Sequence, residues 1–525
     1  MAQAVGGALT RTRLRWQEPT IVGAAGAVLV CAVLPPLLHV GRELLGSGSS
    51  LGLLASGRLW WLLARSLGLS AAVTLLALTV GVPLGVLFSR ATFPLRKLLI
   101  AVHVAVVFLP PFLPALGWFH LLGREGWVGG ELSASLLFSE LGVVLVLASC
   151  FTPIVTALTA IGVSGVDASL EEAARIVGGP WRAAARVLVP CAAPAIALAG
   201  IVVFALAFSE LGVPMFLRVD VYPAVVFSRL GGMDFAPGEA AVFVLPLVVV
   251  ALGLLWLERR FAGRRAIAVL GSRARAQEPL FGPHPLFLGL ACLAAVTSVL
   301  PIAALATRSG VAGGLGEVVR WTGDAPRNGL RASAIAAVVM TFVALVLGRA
   351  LARQSRVSAW LDGLATLAFV LPSSILGVGI VGAWNRPATN WLYATFAVLV
   401  IGFVARYSAV ATRTFAAAVA QVPPSLEDAA RTVGAGYIRR LGLVVGLARR
   451  GLVATFILAL VFALRDLETA ALFYPPGGEP LTVRIFTLEA NGPPAVVSAL
   501  AMLHVLITFA AVGVGLIVLG KRSAP

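Results

Sequence analysis

Long apolar runs separated by short polar segments set the pattern of this 525-residue chain. About twelve runs can be marked, near residues 20–40, 66–88, 98–119, 136–161, 191–217, 240–257, 285–306, 328–350, 361–384, 391–414, 451–474 and 495–519. Each is about as long as the ~20 residues an α-helix needs to cross a bilayer core. "IVGAAGAVLVCAVLPPLLHV" (Ile21 to Val40) is typical. A transmembrane β-barrel would instead alternate apolar and polar residues in short segments, and nothing here alternates. The pattern predicts an all-α polytopic membrane protein of about 12 transmembrane helices.

Composition agrees: 59% of residues are hydrophobic and 12% charged, against roughly 25% charged in a soluble domain. The net charge of +17 would suit a nucleic-acid partner, but the bases follow membrane side. With a cytoplasmic N-terminus and twelve alternating spans, about two thirds of the 40 Lys and Arg residues fall in inner loops. Examples are Arg90, Arg96 and Lys97, then Arg175, Arg182 and Arg186, then Arg439, Arg440, Arg449 and Arg450. This is the positive-inside bias. It predicts cytoplasmic termini and a lipid bilayer, not nucleic acid, as the basic chain's partner. The first run lacks a convincing small-residue cleavage site and reads as a retained span. Cys31, Cys150, Cys191 and Cys292 lie in or beside apolar runs and form no disulfide framework. The five His residues have no metal-ligand spacing, so no metal site or cofactor is expected.

Polar repeats break this pattern. "SLEEAARIVG" (Ser169 to Gly178) returns as "SLEDAARTVG" (Ser425 to Gly434), 256 residues on. "FLPPFLPALG" (Phe108 to Gly117) resembles "VLPSSILGVG" (Val370 to Gly379), and "SEL" at Ser209 aligns with "RDL" at Arg465. Repeats of this kind mean two similar bundles facing a shared pathway. An even number of runs per half gives the halves parallel orientation. The expected division is 1–61 (N-terminus, first helix and outer loop), 62–258 (first transmembrane domain), 259–325 (basic linker, seventh helix and outer loop), 326–518 (second domain) and 519–525 (tail). The segment from Glu258 to Pro285 is basic and reads as a linker on anionic lipid.

Each decapeptide is expected to be a helix of about two turns. Ser169 with Glu172, and Ser425 with Asp428, have capping-box spacing. Gly178 and Gly434 suit a left-handed residue at a helix end. Ala173, Ala174, Ala429 and Ala430 give a small, close-approach surface. A lone copy could simply turn the chain; two copies in equivalent cytoplasmic loops point to docking.

The motif resembles the EAA loop of type I ABC importer permeases, Glu-Ala-Ala followed by Gly. The matching residues are Glu172, Ala173, Ala174 and Gly178, then Asp428, Ala429, Ala430 and Gly434. The usual following Pro has a counterpart in Pro190, while the second half has Gly446. The resemblance covers both halves, as two fused copies of a unit more often found as a separate subunit. It implies that each EAA helix sits in a cleft of an ABC ATPase subunit dimer, which binds and hydrolyses ATP. It implies an extracytoplasmic binding protein, alternating access and a bacterial inner membrane location. The fused form resembles the ferric iron and thiamine branch most, and "RDLETAALFYPPGGEPLTVRIFTL" (Arg465 to Leu488) resembles the iron type more, so ferric iron is the expected substrate. Because the second copy departs from Glu and lacks the Pro, changes at Glu172 or Gly178 are expected to impair transport more than changes at Asp428 or Gly434.

The chain itself shows no nucleotide site. "GLIVLGKR" (Gly515 to Arg522) fits G-x-x-x-x-G-K but puts Arg where Ser or Thr should bind Mg²⁺, and reads as a basic membrane anchor. The runner-up is a secondary transporter of two six-helix bundles driven by an ion gradient. A membrane enzyme would need a loop cluster of carboxylates or histidines, and none is seen.

Ionisable residues in or near spans are functional candidates: Glu140 in the fourth, Glu210 in the fifth, Arg406 in the tenth, and Arg465, Asp466 and Glu468 in the eleventh. Glu210 and Asp466 are repeat equivalents. Two readings stay open: acids facing a pathway for a cation, or structural pairing of Arg465 with Asp466 or Glu468.

Overall fold

The computed structural model describes residues 2–46, 48–231, 237–261, 279–310, 314–354 and 356–520. Most of the expected basic linker, and Lys521 and Arg522 of the phosphate-loop-like segment, lie outside the described residues. Among the described residues the regular structure is helical, and the extended pairing is one bridge, Ala91 to Phe281.

Eight helices are long and apolar enough to cross a membrane, and four bent pairs bring the total to as many as twelve. The spans of the first half are α1 (Ala2–Gly46), α2 (Gly57–Arg90), the bent pair α3 (Arg96–Ala105) and α4 (Phe112–Leu122), α5 (Glu140–Ser164), and, after α6 (Ala168–Ala183), α7 (Ala193–Ser209) and α8 (Pro237–Phe261). The second half repeats the order. It has α9 (Pro285–Ser309), α10 (Ala325–Ala352), the bent pair α11 (Arg356–Val370) and α12 (Ser373–Trp384), and α13 (Ala397–Ala420). After α14 (Pro424–Thr432) and α15 (Tyr437–Leu447) come α16 (Arg449–Leu464) and α17 (Pro494–Gly520). In each half one helix packs on the same two others: α2 on α5 and α7, α10 on α13 and α16.

The repeated "LPP" and "LPS" segments are where the bent pairs break, at 109° and 107°. Leu109 precedes Pro110 and takes an extended conformation, φ −95° and ψ 147°, because the proline ring disfavours helix at the preceding residue. The glycines ending these motifs receive a span from elsewhere. A Cβ on Gly117 would strike the Pro301 carbonyl of α9, and one on Gly379 would strike the Pro36 carbonyl of α1. So the first span of each half lies against the other half's bent pair, α1 on α12 and α9 on α3 and α4. The two halves therefore exchange their first helices.

The fifth and eleventh runs are also shorter than expected. α7 stops at Ser209 and α16 at Leu464. Glu210, Arg465, Asp466 and Glu468 thus sit at helix breaks, not within spans.

Candidate functional site: coupling helices and a buried ionic cluster

The EAA segments form α6 and α14, at the same ends of their halves as the last residues of α2 and α10. Their starts correct the capping-box expectation. The N-cap of α6 is Asp167, whose Oδ1 accepts from Ser169 N at 2.9 Å and from Ser169 Oγ at 2.8 Å. Pro423 precedes α14 without a side-chain cap, and Pro424 takes the first helical position, where a missing N–H costs nothing. Ser169 and Ser425 lie inside their helices. Gly434 is left-handed as expected, φ +81°, but Gly178 is helical and its neighbour Gly179 takes the positive φ, +72°.

Glu172, Ala173, Asp428 and Ala429 are exposed, and Ala174 and Ala430 half-buried. The anchoring acids are the preceding ones, Glu171 and Glu427, each about 5% exposed. Glu171 pairs with Arg90, the last residue of α2, at 3.2 Å, and Arg90 also donates to the Val163 carbonyl at 3.0 Å. Glu427 takes two arginines from the end of α10. Arg349 Nη2 and Nε reach its Oε2 at 2.7 and 3.0 Å, and Arg353 Nη2 and Nε reach its Oε1 at 2.6 and 2.9 Å. Each arginine thus directs two N–H groups at one oxygen of the carboxylate, Arg349 at Oε2 and Arg353 at Oε1. Burial alone would raise the Glu427 carboxyl, but hydrogen bonds and charge from Arg353 and Arg349 outweigh it and hold it below its ordinary value. The Arg349 guanidinium also lies 4.7 Å from the ring centre of Tyr437 on α15. A signal for these acids was present in the repeat: Glu171 and Glu427 are identical in the two copies, whereas the next position changes from Glu to Asp.

With the polar side tied down, each helix turns an apolar surface outward. Ile176 and Val177 in one copy and Val433 in the other are 83 to 87% exposed. Trp181, just past the kink at Gly179, meets Phe281 at 4.8 Å, so the end of the inter-half linker rests beside the first copy.

The candidate pathway acids gather at the helix breaks, except Glu140. Glu140 opens α5 and pairs with Arg65 at 2.7 Å on a half-exposed surface. The others line a cavity of about 30 Å³ together with Pro110, Pro111, Phe151, Arg406 and Tyr407, room for about two waters. Glu210 and Asp466 act alike. Each accepts from the backbone N–H three residues on, Val213 at 3.4 Å and Thr469 at 2.8 Å, and so starts the short helix after its break. Tyr407 donates to Asp466 Oδ2 at 2.8 Å. Glu468 Oε2 accepts from Arg406 Nη2 at 2.7 Å and Ser373 Oγ at 2.8 Å. Arg465 donates to the Val107 carbonyl. Arg465 is bonded to backbone, not to the acids beside it in sequence.

Comparison with known proteins agrees with this architecture. The family described as "Binding-protein-dependent transport system inner membrane component" matches residues 330–522. A molybdenum transport system permease protein of Escherichia coli K12 is 27% identical over 214 residues, 38% of this chain and 93% of that protein. A 2-aminoethylphosphonate transport system permease protein of Salmonella typhimurium LT2 is 28% identical over 46% of this chain and 91% of that protein. A molybdate/tungstate transport system permease protein of Thermococcus kodakarensis is 31% identical over 38% of this chain and 78% of that protein. Each relative matches most of itself and less than half of this chain. Their names do not support the ferric-iron expectation, which rested on a short stretch around the eleventh run. The chain is a multi-pass inner membrane protein that belongs to the binding-protein-dependent inner membrane components, the permeases of type I ABC importers.

Proposed function

We propose that this chain supplies both transmembrane domains, 62–258 and 326–518, of an importer with cytoplasmic termini. A separate ATPase dimer binds ATP and grips α6 and α14. An extracytoplasmic binding protein delivers a small oxyanion of the molybdate or phosphonate kind, the class for which the relatives are named. The observation that carries the reading is the matched anchoring of α6 and α14. A buried Glu ties each helix to the end of the second span of its half, while Leu170, Ile176 and Val177, or Leu426 and Val433, face outward. A pull on either helix is therefore delivered through a charged hinge to a long span, α2 or α10. An ion-gradient transporter has no use for two such handles on one face.

The test is uptake in proteoliposomes holding the chain, the ATPase and the binding protein, with molybdate and 2-aminoethylphosphonate offered in turn. Uptake that needs ATP and the binding protein supports the reading. Uptake that persists without ATP and stops when the proton gradient collapses contradicts it.

A further inference from the structure

The pseudo-symmetry of the halves also fails at the helix breaks. Repeat-equivalent positions read Ser209-Glu210-Leu211-Gly212 in the first half and Arg465-Asp466-Leu467-Glu468 in the second. Likewise Cys150-Phe151 of α5 corresponds to Arg406-Tyr407 of α13. The second half therefore carries three charged side chains, Arg406, Arg465 and Glu468, where the first has Cys, Ser and Gly.

Two of the three cross to the other half. Glu468 Oε1 accepts from the Leu211 backbone N–H at 2.9 Å. Arg465 Nη1 donates to the Val107 carbonyl. Both receiving groups are backbone atoms that helix breaks leave without an intrahelical partner. Leu211 follows the end of α7, and Val107 lies in the bend between α3 and α4. From the first half, Glu210 lines the same cavity, while Gly212 leaves no room for a side chain: a Cβ there would come within 3.0 Å of Leu467. Arg465, Asp466 and Glu468 are all buried.

We propose that Arg465 and Glu468 form a latch that shuts the transport pathway between the halves at the level of the helix breaks. This rests on the permease reading above, since it assumes that the halves part during transport. The chemistry suits a bond that must break repeatedly. When the halves separate, Glu468 keeps Arg406 and Ser373 from its own half, at 2.7 and 2.8 Å. Its charge is never left bare. Arg465 keeps Asp466 beside it in the cavity and Phe462 under its guanidinium, 5.3 Å from the ring centre. What opening exposes is two backbone groups, the Glu210 carboxyl and a cavity that water can enter to solvate them, a smaller cost than stranding a buried ion.

Cys150 reports the opening. It is 3% exposed on α5, next to the cavity-lining Phe151. The experiment uses full-length chain with its ATPase in proteoliposomes, without nucleotide, with Cys31, Cys191 and Cys292 replaced by Ser. The rate of Cys150 labelling by N-ethylmaleimide is read. Glu468→Gln and Arg465→Gln are expected to label about tenfold faster than the parent, as expected when a buried charged contact that favours one of two states is removed. Arg465→Lys, which keeps a charged donor, is expected to stay near the parent rate. Arg413→Gln is the comparison for general loosening. Arg413 binds Glu258 of the first half at 2.8 Å and Asp362 of its own half at 2.8 Å, away from the breaks. Unchanged labelling in both Gln variants overturns the latch. So does equal acceleration by Arg413→Gln. Co-purification of the ATPase, measured on the same samples, judges the permease reading separately: labelling can fail while the ATPase stays bound, and the reverse.

Discussion

At the residue scale, the two anchoring acids are not equal. Glu427 accepts four hydrogen bonds from two arginines, while Glu171 has one ion pair at 3.2 Å. Removing one partner of a buried, fully bonded pair costs about 3 kcal/mol, whereas a single longer contact is worth about 1 kcal/mol. Glu427→Gln should therefore lower the Tm of the detergent-purified protein more than Glu171→Gln does; equal shifts would refute the ranking. The pH dependence has a definite sign. A carboxyl held below its unfolded value of about 4.3 contributes stability above that pH and loses it as pH falls through the folded value. The Tm gap between wild type and Glu427→Gln should hold from pH 7 to about pH 5 and close below about pH 4. The glycines differ as well: Gly434 sits at φ +81°, so Gly434→Ala should cost about 1 kcal/mol of backbone strain, whereas Gly178 is helical and a Cβ there would meet Arg182 Cβ at 2.9 Å. In the stability of its anchoring acid, then, the second copy is the more demanding, opposite to what the Glu-to-Asp change and the missing Pro suggest for transport. The repeated decapeptides were legible in the sequence, but not that Glu171 and Glu427 tie them to the spans. Capping-box spacing is a local rule, and Glu171 and Glu427 are held by arginines about 80 residues away, a contact that no local spacing records.

At the element scale, the apolar runs translated into helices almost one for one, because a bilayer leaves helices as the way to satisfy every backbone group. What run length missed was the breaks. Hydropathy does not change across Leu109-Pro110 or between Ser209 and Gly212, yet the helix stops there. The prolines were legible; the buried acids starting new short helices were read as charges within spans. The exchange of first helices was invisible, since nothing in α1 says which half it lies against. Its trace is Gly379, where a side chain would collide with Pro36. Gly379→Leu and Gly117→Leu should each cost about 2 kcal/mol or more by overpacking, read as reduced Tm and yield. Gly23→Leu, with nothing near its Cβ, should cost little. Full stability of Gly379→Leu would contradict the exchanged packing. The outward faces of α6 and α14 make a different kind of claim. Ile176→Asp and Val433→Asp touch exposed positions, so Tm should stay within about 1 °C while binding of the ATPase weakens, as surface substitutions seldom move stability by more than about 0.5 kcal/mol.

At the scale of the whole molecule, two similar halves are joined in one chain and then made different. Just past α6's kink at Gly179, Trp181 meets Phe281 at the end of the linker, while α14 carries the double arginine grip. At the shared breaks the first half supplies one charged side chain, Glu210, and the second supplies Arg465, Asp466 and Glu468. A single chain can hold such asymmetry, because each half has its own codons to vary. The central claim is that α6 and α14 together bind the ATPase. The most direct measurement is recovery of the ATPase subunit with affinity-purified chain, comparing wild type, Ile176→Asp, Val433→Asp and the double variant at equal Tm. The account predicts partial recovery with either single variant and near-complete loss with both. Full recovery of the ATPase by the double variant would contradict it.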